Sequence, residues 1–189
     1  MIPNLRTDRL LLRPGRLADA EPLHALWRDT AAMRWWSHPP HDTLEQSRAK
    51  MASMLAAEGW RLWVGTLAGE PIGTVNVHAH RPGVAEIGYG FVPARWGGGL
   101  AREAVAAVLD QLFRAEGHRR VFADTDPDNA GSNRLLEHLG FRVEGRLRDE
   151  WETHLGVRDA LIWGMLAGEW RGSALDAHGR IGAHRGLAG

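Results

Sequence analysis

Three consecutive glycines, Gly97, Gly98 and Gly99, run into a segment whose apolar positions Ala101, Ala104, Val105, Val108, Leu109 and Leu112 recur at helical spacing. Glycine is a costly residue with which to open a helix, because it gives up the most backbone freedom on folding. A helix N-terminus presents about four N–H groups without intrahelical partners, together with a partial positive charge. Bare backbone there lets a polyanion reach those groups without meeting a Cβ. The triplet therefore points either to a phosphate cradle or to a tight strand-to-helix turn. Two cradles are excluded by the residues themselves. A Walker loop has Gly-Lys-Ser/Thr after its glycines, whereas Leu100, Ala101 and Arg102 follow here; a dinucleotide-binding fingerprint opens a βαβ unit, whereas this one follows antiparallel strands.

The neighbouring periodicity sets the architecture. Leu5–Arg13 reads as a first strand stopped by Pro14, and Asp19 is placed to cap a helix running to about Met33. Thr43 and Gln46 have capping-box spacing for a second helix to about Ala57. The period then changes to two: 60–67, 71–80 and 84–92 read as an antiparallel meander with turns at 68–70 and 81–83. The glycine-led helix ends near Glu116 with Gly117 as its cap. A strand at 121–125, a helix at 129–139 closed by Gly140, and strands at 141–152 and 159–166 complete the order. The expected fold class is α/β (α+β): a mixed, mostly antiparallel sheet of about seven strands flanked by about four helices. Residues 1–171 read as one domain, and 172–189, rich in Gly, Ala, His and Arg, as an aperiodic and mobile tail.

Composition narrows the partners. The 189 residues carry 23 basic and 23 acidic side chains, so no global field favours nucleic acid or an anionic membrane. No signal-like N-terminus and no apolar run of about 20 residues is present, which leads to the expectation of a cytoplasmic protein. The absence of cysteine removes disulfides, thiolate metal sites and cysteinyl covalent intermediates.

The run Trp96–Ala101 (WGGGLA), continued by Arg102, Glu103 and Ala104, resembles the acetyl-CoA pyrophosphate loop of the GNAT superfamily. Gly99 and Ala101 stand on the last two fixed positions of Gln/Arg-x-x-Gly-x-Gly/Ala. Trp96 departs from the first, as in the ribosomal-protein alanine and serine N-acetyltransferase branch. Asn129 with Ser132, Leu139-Gly140-Phe141, Glu144-Gly145, Thr7–Arg13 and Gly156–Asp159 resemble further landmarks of that branch, so the likeness covers residues 5 to about 170. It implies a GNAT-like fold and acetyl transfer from acetyl-CoA, as co-substrate, to a primary amine. Phe91, Val92, Arg95, Trp96, Gly97, Gly98, Gly99, Leu100, Ala101 and Arg102, with Asn129 and Ser132, would hold acetyl-CoA. The acceptor would be a peptide N-terminus or a small-molecule amine, the protein a monomer or homodimer, and no metal is implied.

Without cysteine, direct attack of a neutral amine in a ternary complex is the economical route. It requires a base, an oxyanion donor and a proton for the departing thiolate. Period two puts Glu86, Gly88 and Gly90 on one strand face, making Glu86 the candidate base with open space beside it. Resemblance to the serine-acetylating relatives also directs attention to the strand after Gly140-Phe141, where Trp151 is flanked by Glu150 and Glu152 as reserve bases. Ser132 is either the acid that protonates sulfur or a helix cap. Asn129 would hold pantetheine or order the loop, and Tyr89, the one tyrosine, reads as packing. An oxyanion donor is expected at the backbone N–H of Phe91 or Val92, where the family geometry has a bulge. His78 and His80 share a strand face but lack a third ligand at metal-binding spacing, and so read as an exposed hairpin end. Trp35 and Trp36 fall where relatives form the acceptor groove, and equally suit core or dimer contacts. The competing function is a non-catalytic acyl-CoA-binding module in which Glu86 and Ser132 do no chemistry.

Overall fold

The Thr7 hydroxyl accepts a hydrogen bond from Leu10 N at 2.8 Å while Thr7 N donates to the Leu10 carbonyl at 3.0 Å, folding the first segment back on itself. In the computed structural model, which describes residues 2–173, the expected single first strand is thus a hairpin of β1 (Leu5–Arg6) and β2 (Leu10–Pro14). The first helix is also divided. α1 (Ala20–Trp27) ends where the Asp29 carboxylate accepts from Ala31 N and Ala32 N and starts α2 (Thr30–Met33). Asp19 does not cap α1 with its side chain. Its carboxylate instead receives both terminal nitrogens of Arg13, at 2.8 and 2.5 Å, and the Arg16 N–H.

The Thr43–Gln46 capping box opens α3 (Leu44–Ala56). The meander follows as β3 (Trp60–Leu67), β4 (Glu70–Arg81) and β5 (Val84–Phe91). Then come α4 (Leu100–Asp110), which runs into a π-helical turn at Gln111–Ala115, β6 (Arg120–Thr125), α5 (Ala130–Leu139), β7 (Arg142–Thr153) and β8 (Gly156–Leu166). Among the described residues, one open sheet of eight strands, in the order β1-β2-β3-β4-β5-β6-β8-β7, is antiparallel except between β5 and β6. With five helices it is the expected mixed α/β fold, with one strand and one helix more.

The middle of the sheet is covered on both faces, since Leu62–Thr66 and Ile72–Val75 are buried as unbroken runs rather than on alternate residues. α1 and α3 pack on each other and on β4 and β3, while α4 packs on β1, β2, β4 and β5. Trp27, Trp63, Leu12, Leu23 and Met51 are fully buried between these layers. At the C-terminal side, the Trp170 indole donates to Asp110 Oδ1 at 2.8 Å and Ser173 N to Asp110 Oδ2 at 3.1 Å. The expected mobile tail lies, apart from Gly172 and Ser173, outside the described residues. No helix among them is long and apolar enough to cross a membrane.

Candidate active site

The site arises where two parallel strands separate. β5 and β6 pair only at Val84↔Arg120, Ala85↔Val121 and Glu86↔Phe122, then part. The gap is a cleft of about 1040 Å³ lined by residues 86–91 of β5, 123–125 of β6 and the following Asp126, 95–102 of the glycine segment, and parts of α2, α5 and β7. Val92 N donates to the Ile72 carbonyl at 2.9 Å, so the antiparallel alternation turns Gly90 and Val92 toward β4, and Ile87, Tyr89 and Phe91 away from it. The backbone groups of those three residues face the side that β6 has left. An open strand edge of this kind pairs with extended, amide-bearing ligands.

At the cleft's end a 3-10 turn at Pro93–Arg95 leads into the glycines. The Trp96 indole donates to the Phe91 carbonyl at 2.7 Å, which ties the segment to the end of β5. Gly97 and Gly99 have φ of +79° and +74°, which L side chains seldom adopt, and Gly99 is the N-cap of α4 with no side chain to offer. A Cβ built at Gly97 or Gly98 would meet nothing within 4 Å, and one at Gly99 only the guanidinium groups of Arg9 and Arg102, at 3.7 and 3.9 Å. The helix start is therefore open and flanked by cations, with Arg95 and Arg134 also lining the cleft. Arg9 braces it by donating to the Gly98 carbonyl at 2.8 Å and to Glu103 at 2.6 Å, while Thr7 donates to the same Glu103 carboxylate. Burial opposes ionisation of Glu103, yet these hydrogen bonds outweigh it and hold its pKa below the ordinary range. The donors and charges suit a polyphosphate, and the free edge of β5 suits an amide chain; together they fit acetyl-CoA.

Glu86 lies half-buried where the strands begin to part. Burial pushes its pKa up, and the negative charge of Asp124 across the gap pushes it further in the same direction; His80 and His78 act weakly against this. Asp124 is itself raised, chiefly by burial, although the Trp151 indole donates to it at 2.6 Å. Two carboxylates with raised pKa values thus face one cleft, an arrangement suited to taking a proton from a cationic group. The expected room beside Glu86 is partly filled by the protein: a Cβ at Gly88 would meet the Asn76 amide at 2.9 Å, and one at Gly90 the Trp36 ring at 3.0 Å.

Asn129 caps α5, its side-chain oxygen accepting from Ser132 N at 3.2 Å, so the capping role considered for Ser132 belongs to Asn129. Ser132 lines the cleft, and the Tyr89 hydroxyl donates to its carbonyl at 3.4 Å. Burial holds the Tyr89 phenol well above its usual pKa, so it stays protonated. Trp35, Trp36 and Ser37 also line the cleft, with Trp151 and Thr153. There His154, at the turn between β7 and β8, contacts the Trp36 carbonyl at 3.2 Å, and the Arg158 guanidinium lies 5.8 Å from the centre of the Trp35 ring.

Of the residues anticipated for the cofactor, Phe91, Arg95, Trp96, Gly97, Gly98, Gly99, Leu100, Ala101, Arg102, Asn129 and Ser132 all line this one cleft. Val92 does not, and its N–H is spent on Ile72, so of the expected pair only Phe91 lines the cleft. The expected bulge at this point is absent: β4 and β5 stay in register through Gly73↔Phe91, and their irregularity falls between Ala79 and Arg81. Glu150 and Glu152 stand outside the lining because alternation along β7 turns Trp151 and Thr153 inward. Asp124 and Arg9 were not anticipated. Asp124 sits in a short strand whose alternation could have been read, but its meaning depends on the separation from β5.

The model of the Acetyltransferase (GNAT) domain matches residues 9–142. The uncharacterised N-acetyltransferase p20 of Bacillus licheniformis is 33% identical over 175 residues, covering 89% of this chain and 98% of its own. The [ribosomal protein uS5]-alanine N-acetyltransferase of Escherichia coli K12 is 29% identical over 185 residues, covering 89% of this chain and 94% of its own. The structure of Mycobacterium smegmatis RimJ in complex with CoA-disulfide superposes with a TM-score of 0.74 at 28% identity, over 88% of this chain and 87% of that one. The matched span holds the strand separation, the glycine-led helix and the raised carboxylates Glu86 and Asp124, and the chain belongs to the GNAT acetyltransferase family.

Proposed function

We propose that the protein is an acetyl-CoA-dependent N-acetyltransferase acting on a primary amine by direct attack in a ternary complex. The observation that carries this reading is the convergence, in one cleft, of the open helix start at Gly97–Gly99, the unpaired edge of β5 and the raised carboxylates Glu86 and Asp124. Acetyl-CoA, when bound, supplies the thioester whose acyl group is transferred. The α4 N-terminus with Arg9, Arg95 and Arg102 would hold its phosphates, and the amide groups of Ile87 and Tyr89 its pantetheine arm.

Glu86 takes the proton from the incoming ammonium group, and Asp124 keeps Glu86 basic enough to do so. The Phe91 N–H is the donor toward developing negative charge on the acyl oxygen. The Ser132 hydroxyl donates a proton to the departing thiolate and regains one from the nitrogen as it becomes an amide, and the carboxyl of Glu86 then releases the first ammonium proton to solvent. The acceptor enters between Trp35, Trp36 and Trp151, whose aromatic faces suit a cationic amine. Similarity to the uS5-alanine N-acetyltransferase supports a protein N-terminus as acceptor, with a small-molecule amine as the other class. Isothermal titration of acetyl-CoA tests the cofactor half of the reading. Saturable binding that Gly99→Val weakens in a folded protein is expected, and no binding by the wild type overturns it.

A further inference from the structure

Glu86 has neighbours for which base chemistry gives no use. The β4–β5 register sets His78 directly opposite Glu86. Between Ala79 and Arg81 the register shifts by one, so that His80 is the extra residue of a bulge, a device that re-aims a side chain. His80 Nε2 consequently lies 3.5 Å from Glu86 Oε2, and His78 Nδ1 lies 3.9 Å from the same oxygen. One ligand atom from each of the three residues falls within 4.8 Å of the others. Both imidazoles are held by aromatic neighbours: His78 stacks on Trp60 at 4.6 Å and 12°, and His80 meets Phe122 edge-on at 5.3 Å. A tetrahedral ion with bonds of about 2.0–2.2 Å places its donors about 3.3–3.6 Å apart, so closure on a metal requires only small side-chain rotations.

We propose that His78, His80 and Glu86 form a binding site for a borderline divalent cation such as Zn²⁺, occupied at the expense of the acetyl-transfer base. Two neutral imidazoles and one carboxylate are the donor set that Zn²⁺, Ni²⁺ and Cu²⁺ favour, and a fourth position stays open to water. The ion engages the Glu86 oxygen lone pairs that would otherwise accept the amine proton, so metal binding and turnover exclude one another. This consequence rests on the Glu86 reading, whereas the binding site itself does not.

Titration of ZnCl₂ into the full chain, without acetyl-CoA, tests the site. The expected result is one high-affinity ion per chain, with affinity falling more than about tenfold in His78→Phe and in His80→Gln. His78→Phe keeps the aromatic stack on Trp60, and circular dichroism of both variants establishes that they are folded. Absence of binding by the wild type, or unchanged affinity in both folded variants, overturns the proposal; the latter would put the ion among others of the 10 histidines. Parallel assays by mass of the acetylated amine keep the two readings apart. Zinc bound by the wild type without loss of turnover upholds the site and overturns Glu86 as the base.

Discussion

The Trp96 indole donates its Nε1 hydrogen to the Phe91 carbonyl across 2.7 Å, linking the first residue of the glycine segment to the last residue of β5. Trp96 is otherwise half in solvent, and this contact fixes how the open helix start sits relative to the strand edge. Trp96→Phe keeps the ring but removes the donor. With a hydrogen bond worth about 0.5–1.5 kcal/mol, KM for acetyl-CoA is expected to rise about 2- to 10-fold with kcat little changed, as read from steady-state kinetics at saturating amine. An unchanged KM would mean that the tether does not position the cradle.

Glu86 carries a stability cost with a defined pH dependence. Its pKa is raised in the folded state, so the native protein holds that proton more tightly than the unfolded chain. Stability from this group therefore falls as pH rises from the unfolded value toward the folded one, and stays low above it. Glu86→Gln is expected to raise the Tm at pH 7–8. The gain should vanish below about pH 4, where both states of the wild type are protonated. A thermal-shift series across pH checks this; a variant less stable than wild type at neutral pH contradicts it.

Asp124 acts on Glu86 through charge. In Asp124→Asn the repulsion is gone, so the Glu86 pKa moves down and the acidic limb of the kcat/KM profile shifts to lower pH. The measurement is the pH–rate profile of the variant beside that of the wild type, with one amine. A limb that stays in place would show that another group sets it.

Arg13 and Asp19 form the best-shielded ion pair of the N-terminal half, with Asp19 only 4% exposed and also accepting the Arg16 N–H. Asp19→Ala strands the half-buried guanidinium. After allowance for its residual exposure, the expected cost is about 2–4 kcal/mol, a fall in Tm of roughly 5–12 °C. Differential scanning calorimetry reads it directly, and a shift below about 2 °C would contradict a structural role for the pair.

Much of this was legible because local patterns and tertiary structure agree. β3 occupies the expected 60–67, the Thr43–Gln46 box opens α3, and Asn129 and Gly140 bound α5. The first strand is a hairpin because the Thr7 hydroxyl closes a turn across the polar residues between Leu5 and Leu10, and the first helix is two because the Asp29 cap interrupts an otherwise continuous pattern. β7 carries two register shifts, at 143–145 and 147–151, which no count along the sequence reveals. The glycines and Glu86 could be read locally. Asp124 could not, since its role follows from where β5 and β6 cease to pair. His78 and His80 lacked a third ligand only until the hairpin register brought Glu86 to them.

Proton transfer from an amine to Glu86, in the cleft proposed to hold acetyl-CoA, is the step on which turnover depends. Its most direct test is the initial rate of thiol release from acetyl-CoA with N-terminal peptides, polyamines and aminoglycosides, in wild type and Glu86→Gln. Saturable, amine-dependent release by the wild type is expected, falling about 10²- to 10⁴-fold in the variant, with acetyl-CoA affinity retained. Equal rates in the two proteins, or no amine-dependent release by the wild type with any of these acceptors, would contradict it.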